Sequence, residues 1–379
     1  MKNKICFLAS EPSSINVFWS EQIKICKNLF DVRVVSNKHN GHYLNYLNIV
    51  HKKIKIYRKP NLFHDIKLFF IFYSYFKKKK FLIVHSLTPK VGFVTILASY
   101  LSKIPIRIHT FTGQVWANKK GFKRWILILF DKIIFFLSTH IIIDSNAQKK
   151  FLTQNNVIKS KLNKTYVFGN GSISGVNIKK FRFFNKKINL KKKYKINCDH
   201  KIILYVGRIN IDKGLLDLAK SFNYIKNDFP KTSLILVGYE DGLSIEKIKN
   251  LIKDDFKKDF YYFNHTNNPE EFMNFADTLC LPSYREGFGQ VVIEAAACKL
   301  PAVVSNIYGL KDSVKNNFSG LFFKPGNIRD LSGKLKKILN DDELRYKMSV
   351  QAQTRVINQF SSSIINKDIK KFYKNILKQ

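Results

Sequence analysis

Pro282-Ser-Tyr-Arg-Glu-Gly-Phe-Gly-Gln-Val-Val-Ile-Glu-Ala-Ala-Ala-Cys-Lys-Leu-Pro-Ala-Val-Val-Ser305 joins a strand exit, a turn, a helix and a strand entry in one phrase. Ahead of it, Thr278-Leu-Cys-Leu281 is a short apolar run closed by Pro282, the pattern of a buried strand. Gln290 to Cys298 is Ala-rich and suits a helix, and Pro301-Ala-Val-Val304 opens the next strand. The turn between them is Gly287-Phe288-Gly289. Such a turn leaves backbone N–H groups unpaired at a helix N-terminus, where they hold a phosphate without a cationic side chain. Two carboxylates frame it: Glu286 in the loop and Glu294 one turn into the helix. A carboxylate accepts two hydrogen bonds in one plane, and the vicinal hydroxyls of a ribose or hexose supply two donors so arranged. Taken singly, Glu286 could cap the helix and Glu294 could make a surface ion pair. Set around a glycine turn, they read as a nucleotide-sugar site.

Upstream, Lys201-Ile-Ile-Leu-Tyr-Val206 is a strand running into Gly207-Arg208-Ile-Asn-Ile-Asp-Lys213-Gly214 and a helix from Leu215 to Phe222. Gly207 lets the chain turn at the strand end. Arg208 and Lys213 then reach the helix terminus, where two cations can hold a diphosphate or simply face solvent. Leu234 to Gly238 and Asp259 to Phe263 read as further strands. Glu270 to Ala276, Leu331 to Leu339, Asp341 to Phe360 and Ile364 to Leu377 have helical period.

The Glu286-x7-Glu294 spacing, with its Pro-Ser and Pro-Ala-Val-Val-Ser flanks, resembles the donor-site signature of retaining glycosyltransferases of the two-domain GT-B fold, family-4 type. The resemblance covers most of the second half and patches of the first. It implies an α/β protein of two Rossmann-like domains facing each other across a cleft, with a C-terminal helix returning to the first domain. It implies domains at 1–182 and 201–360, with a linker at 183–200 and the crossover helix at 361–379. The linker range fits a segment rich in Lys and Asn and poor in apolar residues. The donor site implied is Gly207, Arg208, Lys213, Glu286, Gly287, Phe288, Gly289 and Glu294, with Arg208, Lys213 and Glu286 catalytic. Lys299 stands where the family usually has Gly after the helix. A left-handed backbone there should cost a lysine about 1 kcal/mol and leave the chemistry intact.

In the first half, Lys4 to Ala9 reads as a strand and Ser10 to Ser14 as the loop leaving its C-terminal end, where ligands of open parallel sheets sit. Family members often have glycines here; this chain offers Ser13 and Ser14. A helix from Ile15 to Leu29 and a strand from Val32 to Ser36 follow. His85-Ser-Leu-Thr-Pro-Lys90 and His109-Thr-Phe-Thr-Gly-Gln-Val-Trp116 close two later strands. The second phrase is similar to one in enzymes that build capsules, O-antigens and lipid-linked oligosaccharides. It implies an acceptor side formed by Ser13, Ser14, His85, Lys90, Thr112, Gly113 and Gln114. The position aligned with Thr112 is histidine in many relatives, so this chain departs from them there. His85 and His109 also read as satisfied strand-end histidines.

The chain has 379 residues, 45% of them hydrophobic, which suits two cores. Its five cysteines are scattered without metal spacing, the usage of a reducing compartment. The net charge of +39 is uneven: through Leu190 there are 34 Lys+Arg against 6 Asp+Glu, and from Lys191 onward 32 against 21. A coding bias toward Lys, Asn and Ile is an alternative reading of the magnitude, and it explains the asymmetry less well. An anionic partner would explain it: nucleic acid, an anionic membrane surface or a phosphorylated substrate. Leu62 to Phe76 followed by Lys77 to Lys80, and Phe122 to Leu137, read either as core helices or as helices lying in a membrane interface. No run is long and apolar enough to span a bilayer.

The expectation is therefore an enzyme moving a hexose or N-acetylhexosamine with retention. The donor is a nucleoside diphosphate sugar, taken as UDP-linked, and the acceptor a lipid-diphosphate-linked saccharide of bacterial surface polysaccharide synthesis. No cofactor is expected, and no metal, since the chain has no Asp-x-Asp motif. The enzyme is placed in the cytoplasm, peripheral at the inner face of the plasma membrane. A sugar-nucleotide epimerase or soluble-acceptor synthase of the same fold is the alternative. The paired carboxylates could also serve a glycoside hydrolase, which the adjacent cations and phosphate turn disfavour. A nucleic-acid-binding protein would account for the charge, but no recognition helix or stacking motif accompanies it.

Overall fold

Short apolar runs alternating with helical segments require parallel strands joined by crossover helices, with both sheet faces covered. A computed structural model bears this out; it describes residues 2–37, 47–57, 61–159 and 163–378. The chain forms two compact units, residues 1–175 with 363–379, and residues 176–362.

Among the described residues the first unit has a seven-stranded sheet. Its strands are β1 (Lys4–Leu8), β2 (Asp31–Ser36), β3 (Val50–Lys53), β4 (Ile83–Leu87), β5 (Ile106–Phe111), β6 (His140–Ile143) and β7 (Thr165–Tyr166). They run in the order β3-β2-β1-β4-β5-β6-β7, and every pairing is parallel. Among the described residues five helices are interleaved with these strands: α1 (Pro12–Leu29), α2 (Leu62–Lys79), α3 (Pro89–Leu101), α4 (Gly121–Leu137) and α5 (Asn146–Gln154). The strand order reverses between β1 and β4. The loops leaving these two strands meet there, and Ser10 Oγ donates to Thr88 Oγ1 at 3.3 Å. The loop expected over Ser10 to Ser14 is shorter than its sequence suggested. Pro12, with its φ already helical, starts α1, so Ser13 and Ser14 lie in the first helical turn. β3 was not foreseen, because Val50-His-Lys-Lys53 carries one apolar residue and sits at the sheet edge.

The second unit contains α6 (Lys187–Lys193), β8 (Lys201–Val206), α7 (Leu215–Asp228), β9 (Thr232–Val237), α8 (Ile245–Lys249), β10 (Phe260–Phe263), α9 (Pro269–Phe275), β11 (Thr278–Leu281), α10 (Gln290–Ala297), β12 (Ala302–Ser305), β13 (Gly320–Phe323), α11 (Ile328–Asn340) and α12 (Asp342–Gln359). The parallel sheet has the order β10-β9-β8-β11-β12-β13. Its reversal lies between β8 and β11, and a ligand of such a sheet sits outside the carboxyl ends of the strands at that point. Lys299, after α10, has φ +60, the left-handed conformation expected of it.

The expected boundary at 182 and linker at 183–200 need correction. Phe181, Leu190 and Ile196 are buried in the second unit's core. Lys187 reaches Asp277 at 2.7 Å. Three apolar anchors suffice to pin a lysine-rich segment whose average composition looks like a linker. Past α12 the chain rejoins the first unit through α13 (Ser362–Ile376). Its Ile365, Ile369, Phe372, Tyr373 and Ile376 share one helical face and enter the core that holds Phe7, Trp19 and Phe30.

Candidate active site

Two loops of the second unit leave β8 and β11 at the reversal of strand order, and glycines let them touch. Gly207, at φ +154, follows β8, and Tyr205 Oη lies 2.8 Å from where a Cβ would be. Gly214 has φ +69, and a Cβ on it would meet the carbonyl oxygen of Pro282 at 2.1 Å. Tyr284 N–H donates to the Asp212 carbonyl at 2.8 Å, tying the second loop to the first.

This contact brings Lys213 and Glu286 together. Lys213 Nζ lies 2.6 Å from Glu286 Oε1, and the two side chains are 17% and 14% exposed. Ser283 Oγ donates to the same carboxylate oxygen at 2.7 Å. Partial burial places this contact in a medium where electrostatic attraction is stronger than in water. Arg208 is close by. Its carbonyl accepts from Tyr205 Oη at 2.7 Å, and its guanidinium pairs with Asp241 in the loop after β9. The fully buried Tyr205 hydroxyl is pushed well up by burial, with the Glu286 carboxylate adding to the shift and Arg208 opposing it, so it stays a neutral donor between the two charges. A guanidinium has five N–H donors, so one carboxylate partner leaves others for a second anion. Asn210 fixes the first loop by donating to the Asp241 carbonyl at 2.6 Å and accepting from Asp212 N–H at 2.9 Å.

Gly289, at φ +78, is the residue before α10, and no side chain caps that helix. The N–H groups of Gly287, Phe288 and Gly289 donate to no acceptor among the described residues. Phe288 is buried, its ring 5.4 Å from that of Phe360. Gly309 seats the loop from outside, since a Cβ there would lie 2.0 Å from the Glu286 carbonyl oxygen. One turn into α10, Glu294 is pushed up to about 7 by loss of surrounding water, and Gln290 Nε2 donates to it at 3.5 Å. All the donor-side residues named from sequence thus lie on the two loops or on the helix that follows. Tyr205, Asn210, Ser283 and Asp241 were missed. Asp241 had a signal, as the Asp-Gly step leaving a strand toward the same sheet edge, but Tyr205 looks like any other strand residue.

The residues named for the acceptor side fare differently. His85 is fully buried: Nδ1 bonds Tyr373 Oη at 2.8 Å and Nε2 bonds Thr110 Oγ1 at 2.7 Å. Burial holds it well below the ordinary imidazole value, hence neutral. It is a core residue anchoring α13, which corrects its placement on the acceptor side. His109 is also buried, bonded to Ser86 Oγ at 2.8 Å, and lowered to about 3. Lys90 pairs with Asp65 at 2.7 Å and donates to the Tyr57 carbonyl at 2.6 Å, so it is engaged within its own unit. Gly113 and Gln114 are buried and Thr112 is half-buried. Gln148 of α5 ties that loop down, donating to the Thr112 carbonyl at 2.7 Å and to Gln114 Oε1 at 3.0 Å. Among the described residues no three His, Cys, Asp or Glu side chains gather as a metal site.

Residues 186–355, which hold both loops, match the family model described as glycosyl transferases group 1. Over its whole length the chain is 33% identical to the capsular polysaccharide biosynthesis glycosyltransferase CapM of Staphylococcus aureus, covering 99% of it. It is 27% identical to the N,N'-diacetylbacillosaminyl-diphospho-undecaprenol alpha-1,3-N-acetylgalactosaminyltransferase of Campylobacter jejuni, over 99% of each chain. Sucrose-phosphate synthase of Thermosynechococcus elongatus superposes with a TM-score of 0.82 at 18% identity, over 99% of each chain. Anabaena HepE in complex with UDP and glucose superposes with 0.79 at 17%, over 98% of this chain and 100% of that one. At these identities the two structures establish the fold.

Proposed function

The chain belongs to the glycosyl transferases of group 1, and on that premise we propose that its two glycine-bounded loops hold a nucleoside diphosphate sugar and transfer the sugar with retention. The supporting observation is the Lys213–Glu286 pair at 2.6 Å, beside the unbonded N–H groups that open α10. As the glycosidic bond breaks, negative charge grows on the departing diphosphate. Lys213, Arg208 and the Gly287–Gly289 N–H groups are already fixed around the place where that charge develops, so they stabilise the transition state more than the ground state. Glu286, held by Lys213 and Ser283, orients hydroxyls of the donor sugar. Glu294 accepts the hydroxyls of the ribose. In a front-face transfer the leaving phosphate takes the acceptor proton, and no metal or dedicated base is required. On the first unit, Ser13, Ser14 and the Thr112–Gln114 loop remain the acceptor-side candidates.

The donor is read as a UDP-linked hexose or N-acetylhexosamine, in keeping with the UDP bound by the Anabaena protein of the same fold. The acceptor is read as a lipid-diphosphate-linked saccharide of surface polysaccharide synthesis. The names of the S. aureus and C. jejuni relatives, one capsular and one acting on a diphospho-undecaprenol-linked sugar, support this. Such an acceptor keeps the enzyme at the inner face of an anionic membrane.

Titration calorimetry of UDP against the full chain and Lys213→Ala tests the reading. The wild type should bind, and the variant should bind at least about tenfold more weakly and lose about 10²–10³ in transfer rate, the scale of removing one preorganised charge donor. A folded Lys213→Ala protein with unaltered UDP binding and turnover would overturn it.

A further inference from the structure

A surface helix normally has one apolar face, turned to the core; α4 has two. On its inner side Ile134 and Phe135 are buried, and Asp131 accepts from Trp116 Nε1 at 2.7 Å. On its outer side Phe122, Trp125, Leu129 and Phe136, spaced i, i+3, i+7 and i+14, form a single stripe. Phe122 is 73% exposed, Trp125 59% and Phe136 77%. Lys123 and Lys132, both exposed, flank the stripe on opposite sides by helical angle. The apolar surface continues onto neighbouring elements: α3 packs between α2 and α4, and Phe93 of α3 meets Phe130 of α4 at 4.7 Å. α2 exposes Phe63 (86%), Ile66 and Phe70, with Lys67 beside them and Lys77 to Lys80 at its end.

So much clustered apolar area is unusual on a monomer and marks a surface that something covers. The charge pattern says what. The only acids of these two helices are Asp65, already paired with Lys90, and Asp131, which is buried. Over residues 1–175 and 363–379 there are 34 Lys+Arg against 7 Asp+Glu, a net +27. A second copy of the chain docking on the same face would set lysine rim against lysine rim. A protein partner would have to supply an apolar face with an acidic border. An anionic bilayer supplies both terms, lipid phosphate for the lysines and the acyl boundary for the aromatics. No described helix is long and apolar enough to cross a membrane, so the contact is one that lies in the interface.

We infer that the outer faces of α4 and α2 are a docking surface for an anionic bilayer, with Phe122, Trp125, Leu129 and Phe136 entering the acyl boundary and Lys123 and Lys132 resting on lipid phosphates. This deepens the reading of a lipid-linked acceptor by naming the surface that meets the lipid.

The chain carries its own reporter. Of its three tryptophans, Trp19 and Trp116 are fully buried and Trp125 alone is exposed. Full-chain protein is mixed with vesicles of phosphatidylcholine alone or with phosphatidylglycerol, and tryptophan emission and co-sedimentation are followed. The expected result is a blue shift with the phosphatidylglycerol vesicles, quenched by brominated acyl chains and absent in Trp125→Phe. Phe122→Ser with Phe136→Ser should weaken vesicle partition about tenfold or more by removing two interfacial rings, while Lys123→Glu with Lys132→Glu should reduce the preference for anionic lipid. UDP affinity is measured on the same samples, and loss of it would count against the glycosyl-transfer reading and leave this one standing. An unshifted spectrum with protein left in the supernatant, or equal partition by the serine variant, overturns the inference. A blue shift that grows with protein concentration without vesicles also overturns it, in favour of a second copy.

Discussion

Lys213 and Glu286 are 73 positions apart in the chain and 2.6 Å apart in space. Two side chains of opposite charge on facing loops hold each other in place before any ligand arrives, which spares that reorganisation when the transition state forms. Glu294 obeys a different rule. Burial raises its carboxyl to about 7, so near neutrality it is partly protonated in the unliganded protein. Hydroxyl donors from a ribose favour the charged form. Binding of UDP below pH 7 should therefore release a proton, and affinity should rise with pH until about 7 and then level. The unliganded state carries the opposite sign. A carboxyl raised by burial contributes most to stability while neutral, and that contribution is lost as pH climbs from the ordinary carboxyl range through about 7. Calorimetry in buffers of different ionisation heat should show the released proton, and Glu294→Gln should abolish both the release and the slope.

Between elements, what matters is how closely backbones approach. Gly309 lets the loop after β12 lie against the Glu286 carbonyl, where a Cβ would sit 2.0 Å from the oxygen. Gly309→Ala must push the Glu286 loop aside, and a displacement near 1 Å in a positioned group costs about 10² in rate. Gly333 makes the converse case, lying in the middle of α11 with nothing within 4 Å of an added Cβ. Gly333→Ala should stabilise by about 1 kcal/mol and raise the melting temperature by about 2–4 °C without touching transfer. Circular dichroism melts and initial rates on both variants check the pair. These glycines are visible in the sequence, but their different meanings are not, because each depends on what a distant segment places opposite the missing side chain.

At the scale of the whole chain, the first unit is not contiguous. α13 supplies Ile365, Ile369, Phe372, Tyr373 and Ile376 to its core, and Tyr373 Oη holds buried His85 at 2.8 Å. Burying one such side chain stabilises by about 1.5–3 kcal/mol, so five together are comparable to the entire stability of an ordinary domain. Ending the chain at Ser362 should leave the first unit unfolded or rapidly cleaved in limited proteolysis. The second unit, whose core lies within 176–362, should persist as a resistant fragment.

Several features are local consequences of residue type and spacing, and the sequence alone determined them. They include the two parallel-sheet units, the β11–α10–β12 phrase with its glycine turn and the amphipathic last helix. Apolar period, proline and glycine act within a few residues of themselves, whatever the rest of the chain does. The tertiary structure alone decided which polar residues are buried and which partners they find. It buried His85 in the core against Tyr373 and paired Lys90 with Asp65. It drew residues 183–200 into a core through Leu190 and Ile196, left the outer stripe of α4 uncovered, and set Tyr205 and Asp241 around Arg208. Those outcomes depend on contacts between segments far apart in the chain, and pairing at a distance leaves no periodic trace in the order of the residues.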